Sequence, residues 1–214
     1  RTVTFRNLGW SADTPAGASR SGLSPLQAGR EPADEGWRQL ELQLTTYKPN
    51  VLITGYGMAA SLPGGQTPEE FKRDFESLLD RVAKLEGGVR VLVLGAPPRF
   101  LRPGETEESV KAHRASLAAI NVVLRDVAKQ RGHVFVPLNF PVKDAQTFSE
   151  NGIHLSPAGY KMVARLLEKE LGWRPQETFE TGIRKTVEWF LNNQDWLDHV
   201  VSGEYKNWVE KHYA

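Results

Sequence analysis

Apolar residues recur along this chain at two different periods. Val51-Leu52-Ile53-Thr54-Gly55 and Val89-Arg90-Val91-Leu92-Val93-Leu94-Gly95 are short, nearly continuous apolar runs closed by glycine, and Gly132-His133-Val134-Phe135-Val136-Pro137 is a third. Runs of this kind are the pattern of parallel strands buried on both faces. Between them the spacing turns helical. Trp37, Leu40, Leu44 and Tyr47 align ahead of Pro49, and Phe71, Phe75, Leu78, Leu79, Val82 and Leu85 align between the start signal Thr67-Pro68-Glu69-Glu70 and the stop Gly87-Gly88. Val110, His113, Leu117, Ile120, Leu124 and Val127 predict a long helix over about residues 106–130. Residues 2–7 are β-rich and stop at Gly9, so a strand is expected there. Residues 11–34 are crowded with Ser, Ala, Gly and Pro and read as a long loop. Alternation of strands and helices implies an α/β fold, a parallel sheet with helices on both faces and functional loops at the strand C-termini.

Composition narrows the function classes. A net charge of +1 over 214 residues, with acids and bases interspersed, argues against a nucleic-acid or anionic-membrane surface. The absence of cysteine removes disulfide and thiolate chemistry and leaves the compartment open. No apolar run approaches the about 20 residues of a membrane span. The chain opens on Arg1 without a signal peptide and reads as a piece whose beginning is absent; a periplasmic or secreted destination stays open. The five histidines are scattered without ligand spacing, and Pro63-Gly64-Gly65 lacks the lysine of a phosphate loop, so neither a metal nor a cofactor is expected. His113, on the apolar stripe of its helix, is expected to be a buried or boundary residue and not a catalyst, and His133 lies at the wrong end of its strand for ligand chemistry.

One segment carries candidate chemistry: Asn151-Gly152-Ile153-His154-Leu155-Ser156-Pro157-Ala158-Gly159-Tyr160. Ser156 and Pro157 suit the N-cap and first position of a helix carrying Tyr160, Met162, Val163, Leu166 and Leu167. His154 is thereby delivered to the mouth of that helix, where an imidazole can exchange protons with a substrate or nucleophile. From the residues alone, a histidine that merely satisfies a loop carbonyl is the favoured reading. Ser11, Ser19, Ser21, Ser24 and Ser61 read as solvated loop hydroxyls, none on the sharp turn that exposes a nucleophile.

The segment resembles the histidine block of the SGNH (GDSL-type) acyl hydrolases. Two further blocks stand in the order that family requires. Arg6-Asn7-Leu8-Gly9-Trp10-Ser11-Ala12-Asp13-Thr14 is similar to the loop that lends a backbone N–H to the oxyanion hole, and Gly55-Tyr56-Gly57-Met58-Ala59-Ala60-Ser61 to the block that carries the oxyanion-hole asparagine. The resemblance covers about residues 1–172 and implies a three-layer α/β/α, flavodoxin-like sheet lacking its first strand. It also implies a small ester or acylated carbohydrate as substrate. It places His154 as catalytic base, Asn151 in place of the orienting aspartate with Glu150 as a possible substitute, and Gly9, Ala12 and Ala59 around the oxyanion. The family's Gly-Asp-Ser block has no counterpart, and relatives place the strand that carries it beside residues 2–7 in mid-sheet. Ala59 supplies no side-chain donor, a loss of about 3 to 4 kcal/mol. A carboxylic ester hydrolase lineage is therefore expected, in a chain not itself competent and marginal in stability. A non-catalytic carbohydrate-binding or accessory domain is the alternative.

From Gly172 the character changes. Gly172-Trp173-Arg174-Pro175-Gln176-Glu177-Thr178-Phe179-Glu180-Thr181-Gly182-Ile183-Arg184-Lys185-Thr186-Val187-Glu188-Trp189-Phe190 resembles the C-terminal end of dTDP-glucose 4,6-dehydratases. The nucleotide fingerprint and catalytic pair of those enzymes are absent, so the resemblance implies ancestry for the tail and no catalytic residue. Two amphipathic helices are expected, one carrying Phe179, Ile183, Val187, Phe190 and Leu191, the other Tyr205, Trp208, Val209 and His212. A helical appendage at 173–214 joined at Leu171-Gly172-Trp173 by recombination or misassembly accounts for both resemblances. A dehydratase remnant is the third reading.

Overall fold

Each of the three apolar runs is a strand in a computed structural model of the chain, which describes residues 4–18, 35–141, 145–172, 177 and 179–202. Strands β1 (Val51–Thr54), β2 (Arg90–Leu94) and β3 (Val134–Val136) form a parallel sheet in the order β1-β2-β3. Leu52 lies beside Val91, Thr54 beside Val93 and Ile53 beside Leu92. Neighbours in register point to the same side and successive residues to opposite sides. One face therefore gathers Leu52, Val91 and Val93, and the other Val51, Ile53 and Leu92.

The first face is covered by helices α1 (Glu35–Tyr47), α2 (Pro68–Ala83) and α3 (Glu107–Gln130). Leu40 and Leu44 of α1, Phe71 and Phe75 of α2, and Ile120 and Leu124 of α3 form one buried cluster with Val91 and Val93. The two phenylalanine rings stack with centroids 5.9 Å apart. These helices begin where their caps dictate. Thr67 accepts from the Glu70 amide while the Glu70 carboxylate accepts from the Thr67 amide, and Thr106 and Ser109 repeat the box for α3. A short helix α4 (Ala145–Phe148) precedes α5 (Pro157–Glu170), which packs against α4 and β3. Gly159 permits that approach, since a Cβ there would stand 2.4 Å from the Phe148 carbonyl oxygen. The opposite face is left open at β1, where Val51 and Ile53 are 45% and 44% exposed.

The expected strand at residues 2–7 is not found: residues 4–10 contain no strand, and Phe5 is 82% exposed. An extended run needs a neighbour to receive its backbone hydrogen bonds. Among the described residues no strand lies along the outer edge of β1, so the run has no ladder to join.

The chain divides into two compact units, Arg1–Leu171 and Gly172–Ala214. The second contains α6 (Phe179–Asn192) and α7 (Gln194–Ser202). The apolar stripe expected on the first tail helix is present on α6, yet that helix buries no residue. Trp189 and Trp196 meet edge to face at 5.1 Å. Helix α7 was not foreseen, and the stripe expected at Tyr205, Trp208, Val209 and His212 lies outside the described residues. No described helix is long and apolar enough to cross a membrane.

Candidate active site

The loops that leave the C-terminal ends of the three strands emerge along the same edge of the sheet. The loop between α4 and α5, beyond β3, carries His154, and its shape follows from the side chains of Ser149, Asn151 and Ser156. A lone antiparallel bridge pairs Ser149 with Leu155. The His154 carbonyl accepts from Ser149 Oγ at 2.8 Å and from the Glu150 amide at 3.0 Å, while the Gly152 amide donates to Ser149 Oγ at 2.8 Å. Asn151 Oδ1 accepts from the amides of His154 at 2.9 Å and Ile153 at 3.2 Å, and Asn151 Nδ2 lies 2.9 Å from His154 Nδ1. Asn151 thus holds both the backbone and the ring of His154, whereas Glu150 contributes its backbone. The ring itself is exposed. Ser156 Oγ accepts from the Gly159 amide at 3.2 Å and Pro157 opens α5, which fixes where the loop ends.

A second loop supports the first. Arg99, five residues beyond β2 and 6% exposed, donates to the Phe100 carbonyl, to Glu105 Oε1 at 2.6 Å and to the Gly152 carbonyl at 3.5 Å. The Phe100 amide donates to the same Gly152 carbonyl at 3.0 Å. Arg102 side-chain and backbone hydrogen bonds, with a further contribution from Arg99, hold the Glu105 carboxyl down at about 2. Asn121 of α3 anchors the start of this loop, accepting from the Ala96 amide at 2.8 Å and donating to its carbonyl at 3.2 Å. Arg99, Glu105 and Asn121 escaped the sequence reading. Only Arg99, following two prolines at a strand C-terminus, carried a legible signal.

The loop after β1 corrects one expectation. Ser61 is not a solvated hydroxyl: it is 3% exposed, donates to the Met58 carbonyl at 2.8 Å and lies 2.9 Å from His113 Nε2. That is a nucleophile-to-base distance, but the hydroxyl also has the Met58 carbonyl as an acceptor and the residue is buried. The pair ties this loop to α3. Burial, with the nearby Arg99 charge, holds the His113 imidazole below its ordinary value, which suits a neutral ring. Ala59 sits two residues earlier, half-buried, its carbonyl accepting from the Leu62 amide at 3.4 Å.

Gly9 and Ala12 lie in the loop at residues 7–14, both exposed. The Gly9 amide is taken by Asn7 Oδ1 at 2.9 Å. Ala12 adopts a left-handed φ of 57°, a conformation that costs a residue with a Cβ about 1 to 2 kcal/mol. The loop is pinned just beyond, where Gly17 and Gly36 approach so closely that a Cβ on Gly36 would lie 2.1 Å from the Gly17 carbonyl oxygen. Of the other serines, Ser11 lies in this loop, while Ser19, Ser21 and Ser24 lie outside the described residues. Among the described residues no group of three or more His, Asp or Glu is placed to hold a metal. An open surface depression between α2 and the end of α3, about 480 Å³ and lined by Glu69, Arg73, Asp80 and Arg131 among others, pairs Asp80 with Arg131.

The first unit is an α/β domain with a parallel sheet and a histidine loop at the carboxyl edge of that sheet. Residues 2–162 match the GDSL-like Lipase/Acylhydrolase family, and the chain belongs to it. A carbohydrate acetylesterase from Sinorhizobium meliloti superimposes with a TM-score of 0.54 at 19% identity, over 76% of this chain and 74% of that one. An aryl esterase from M. smegmatis superimposes with a TM-score of 0.54 at 19% identity, over 75% and 74%. At these identities the likeness shows the flavodoxin-like fold. A different relationship joins the chain to dTDP-glucose 4,6-dehydratases: 56% identity to the Shigella flexneri enzyme over 54 residues, 25% of this chain. The chain spans 15% of the length of the dehydratases it matches in this way. The polypeptide thus joins a GDSL-type domain to a short dehydratase-like segment.

Proposed function

We propose that the first unit is an acyl-ester hydrolase domain whose His154 serves a serine nucleophile, acting on short acyl esters such as acetylated carbohydrates. We further propose that the chain of 214 residues does not turn such esters over by itself. The observation that carries the reading is the Asn151–His154 pair, held by a loop clamped to Arg99 and Phe100 at the carboxyl edge of the sheet. In acyl transfer the imidazole takes the proton of the attacking hydroxyl and returns it to the leaving alcohol, while amides stabilise the oxyanion. This chain's Ser61 is buried, Ala59 brings no side-chain donor, and the Gly9 amide is engaged. What the chain retains is the histidine side of the pocket. The substrate class gains support from structural neighbours whose names specify carbohydrate acetyl and aryl esters.

The test is ester turnover with p-nitrophenyl acetate and acetylated xylo-oligosaccharides. The chain as it stands is expected to show none that depends on His154. A fusion supplying an upstream strand with a Gly-Asp-Ser block, and carrying Asn151→Asp so that a carboxylate stands beside the imidazole, is expected to gain turnover and to lose it again with His154→Ala. Histidine-dependent turnover by the unfused chain refutes the incompetence; inactivity of the fusion on every short acyl ester refutes the ester reading. Ala59 and Asn151 also favour a second reading, a non-catalytic carbohydrate-binding domain. Saturable calorimetric binding of the same oligosaccharides, with the fusion remaining inactive, selects it. The dehydratase reading rests on the second segment alone, and failure of NAD to bind removes it.

A further inference from the structure

The side-chain amide of Asn151 is not free to turn over. Its Oδ1 receives two backbone N–H groups, from His154 at 2.9 Å and Ile153 at 3.2 Å. Exchanging oxygen and nitrogen would aim an NH2 group at both donors and leave them unsatisfied inside a tight loop. An amide orientation is assigned by its hydrogen-bond network, and here the network permits one. The nitrogen facing the ring is then an NH2 donor, 2.9 Å from His154 Nδ1. A neutral imidazole carries one N–H and one bare nitrogen. Nδ1 must be the bare one, because an Nδ1–H would meet the amide hydrogens head on.

We propose that Asn151 locks neutral His154 with its proton on Nε2, so that the nitrogen open to a reacting group is a hydrogen-bond donor and not a base. An aspartate at this position reverses the assignment. One carboxylate oxygen would keep the two backbone amides while the other accepts an Nδ1–H, leaving Nε2 bare and able to take a hydroxyl proton. Asn151 is thus a positioning residue, one that acts through His154 by choosing where its proton sits. The loss it imposes is independent of whether a serine is supplied, and only its catalytic consequence rests on the ester reading. The wrong tautomer costs a serine protease about 10⁴ in rate. The serine-bearing fusion is expected to gain on the order of that factor with Asn151→Asp.

The proton position is read directly from the ¹⁵N-labelled full chain by long-range ¹H–¹⁵N correlation at alkaline pH, where imidazoles are neutral. His154 is assigned by the signal lost in His154→Gln. The expected pattern is a pyrrole-type Nε2 and a pyridine-type Nδ1. Asn151→Asp is expected to exchange the two, and Asn151→Ala to give the averaged pattern of an unrestrained imidazole. A proton on Nδ1 in the unsubstituted chain overturns the proposal, as does an unchanged pattern in Asn151→Ala or in a folded Asn151→Asp. Backbone amide spectra report folding of each variant. No substrate enters the measurement, so its failure leaves the ester reading standing, and failure of ester turnover leaves the proton assignment standing.

Discussion

Gly152→Ala separates what the His154 loop owes to backbone conformation from what it owes to the loop beneath it. Gly152 has a φ of 83°, and Gly132, at the end of α3, has a φ of 68°. Both substitutions force a Cβ into the left-handed region, for about 1 to 2 kcal/mol. They differ in what the Cβ meets. At Gly132 nothing lies within 4 Å, whereas at Gly152 the new atom would stand 2.2 Å from Arg99 Nη1 and 2.8 Å from the Phe100 carbonyl oxygen. The second atom belongs to backbone that also donates to the Gly152 carbonyl, and the first to a buried guanidinium tied to Glu105, so neither yields cheaply. Overpacking adds about 1 to 3 kcal/mol. The expected loss is about 1 to 2 kcal/mol for Gly132→Ala and about 2 to 5 kcal/mol for Gly152→Ala, measured by urea denaturation with the m-value as a check on the unfolding unit. Equal losses for the two variants would mean that the Arg99 loop does not clamp the His154 loop.

Four further outcomes follow from particular contacts. Ala12→Gly and Lys48→Gly, at positive φ values of 57° and 43°, should each leave stability unchanged or raise it by up to about 1 kcal/mol in the same denaturation; a clear loss at both would show that these conformations are not strained. Leu124→Ala, fully buried in the main cluster, should cost about 2 to 5 kcal/mol, while Val187→Ala on the exposed stripe of α6 should stay within about 0.5 kcal/mol. Burial holds His113 and His133 below their ordinary 6.5, so the unfolded chain takes up protons first; stability should decline as pH falls through about 6.5, and His113→Gln should flatten that step in a pH series of melts. Glu105, held at about 2 against 4.5, should add a second decline between those two values, absent in Glu105→Gln.

The strands and long helices were legible because their signals are local. Apolar runs bounded by glycine marked β1 and β2, the start signal at Thr67 marked α2, and the apolar stripe from Val110 to Val127 marked α3, with its start placed to within a residue. Residues 2–7 misled because β-propensity reports a chain that can be a strand, not one that has a neighbour. The histidine loop was visible as a motif, but the role of Asn151 depends on which amide atom faces the ring, and no spacing encodes that. The Arg99 clamp and the Ser61–His113 contact join residues 53 and 52 positions apart, beyond any local pattern. The seam between the two ancestries is subtler than a change of composition at Gly172. The family match ends at residue 162, and the dehydratase match of 54 residues is longer than everything from Gly172 onward, so part of it falls before that glycine. Some of α5 or what precedes it therefore belongs to that match, while Gly159 and Val163 of the same helix are buried within the first unit.

The open face of β1 links stability to chemistry in a way that one experiment resolves. Val51 and Ile53 remain 45% and 44% exposed on the side opposite the main cluster, and among the described residues no strand pairs with the outer edge of β1. Fully burying such a side chain contributes about 1.5 to 3 kcal/mol, so covering the half still exposed on both is worth roughly 2 kcal/mol before any ladder hydrogen bond is counted. The family resemblance implies a serine block on a strand beside residues 2–7, and the outer edge of β1, unpaired among the described residues, is where such a strand can join the sheet. A segment that restores turnover by that route lies beside these residues and covers part of them, so the serine-bearing fusion should gain up to about 2 kcal/mol in denaturation from this burial, and its activity once Asn151→Asp is added. The same fusion with its serine replaced by alanine should keep the stability and lose the turnover. Turnover without added stability would place the nucleophile somewhere other than beside β1, and stability without turnover would leave a repaired sheet whose histidine, carrying its proton on the outward nitrogen, still has no means of taking one.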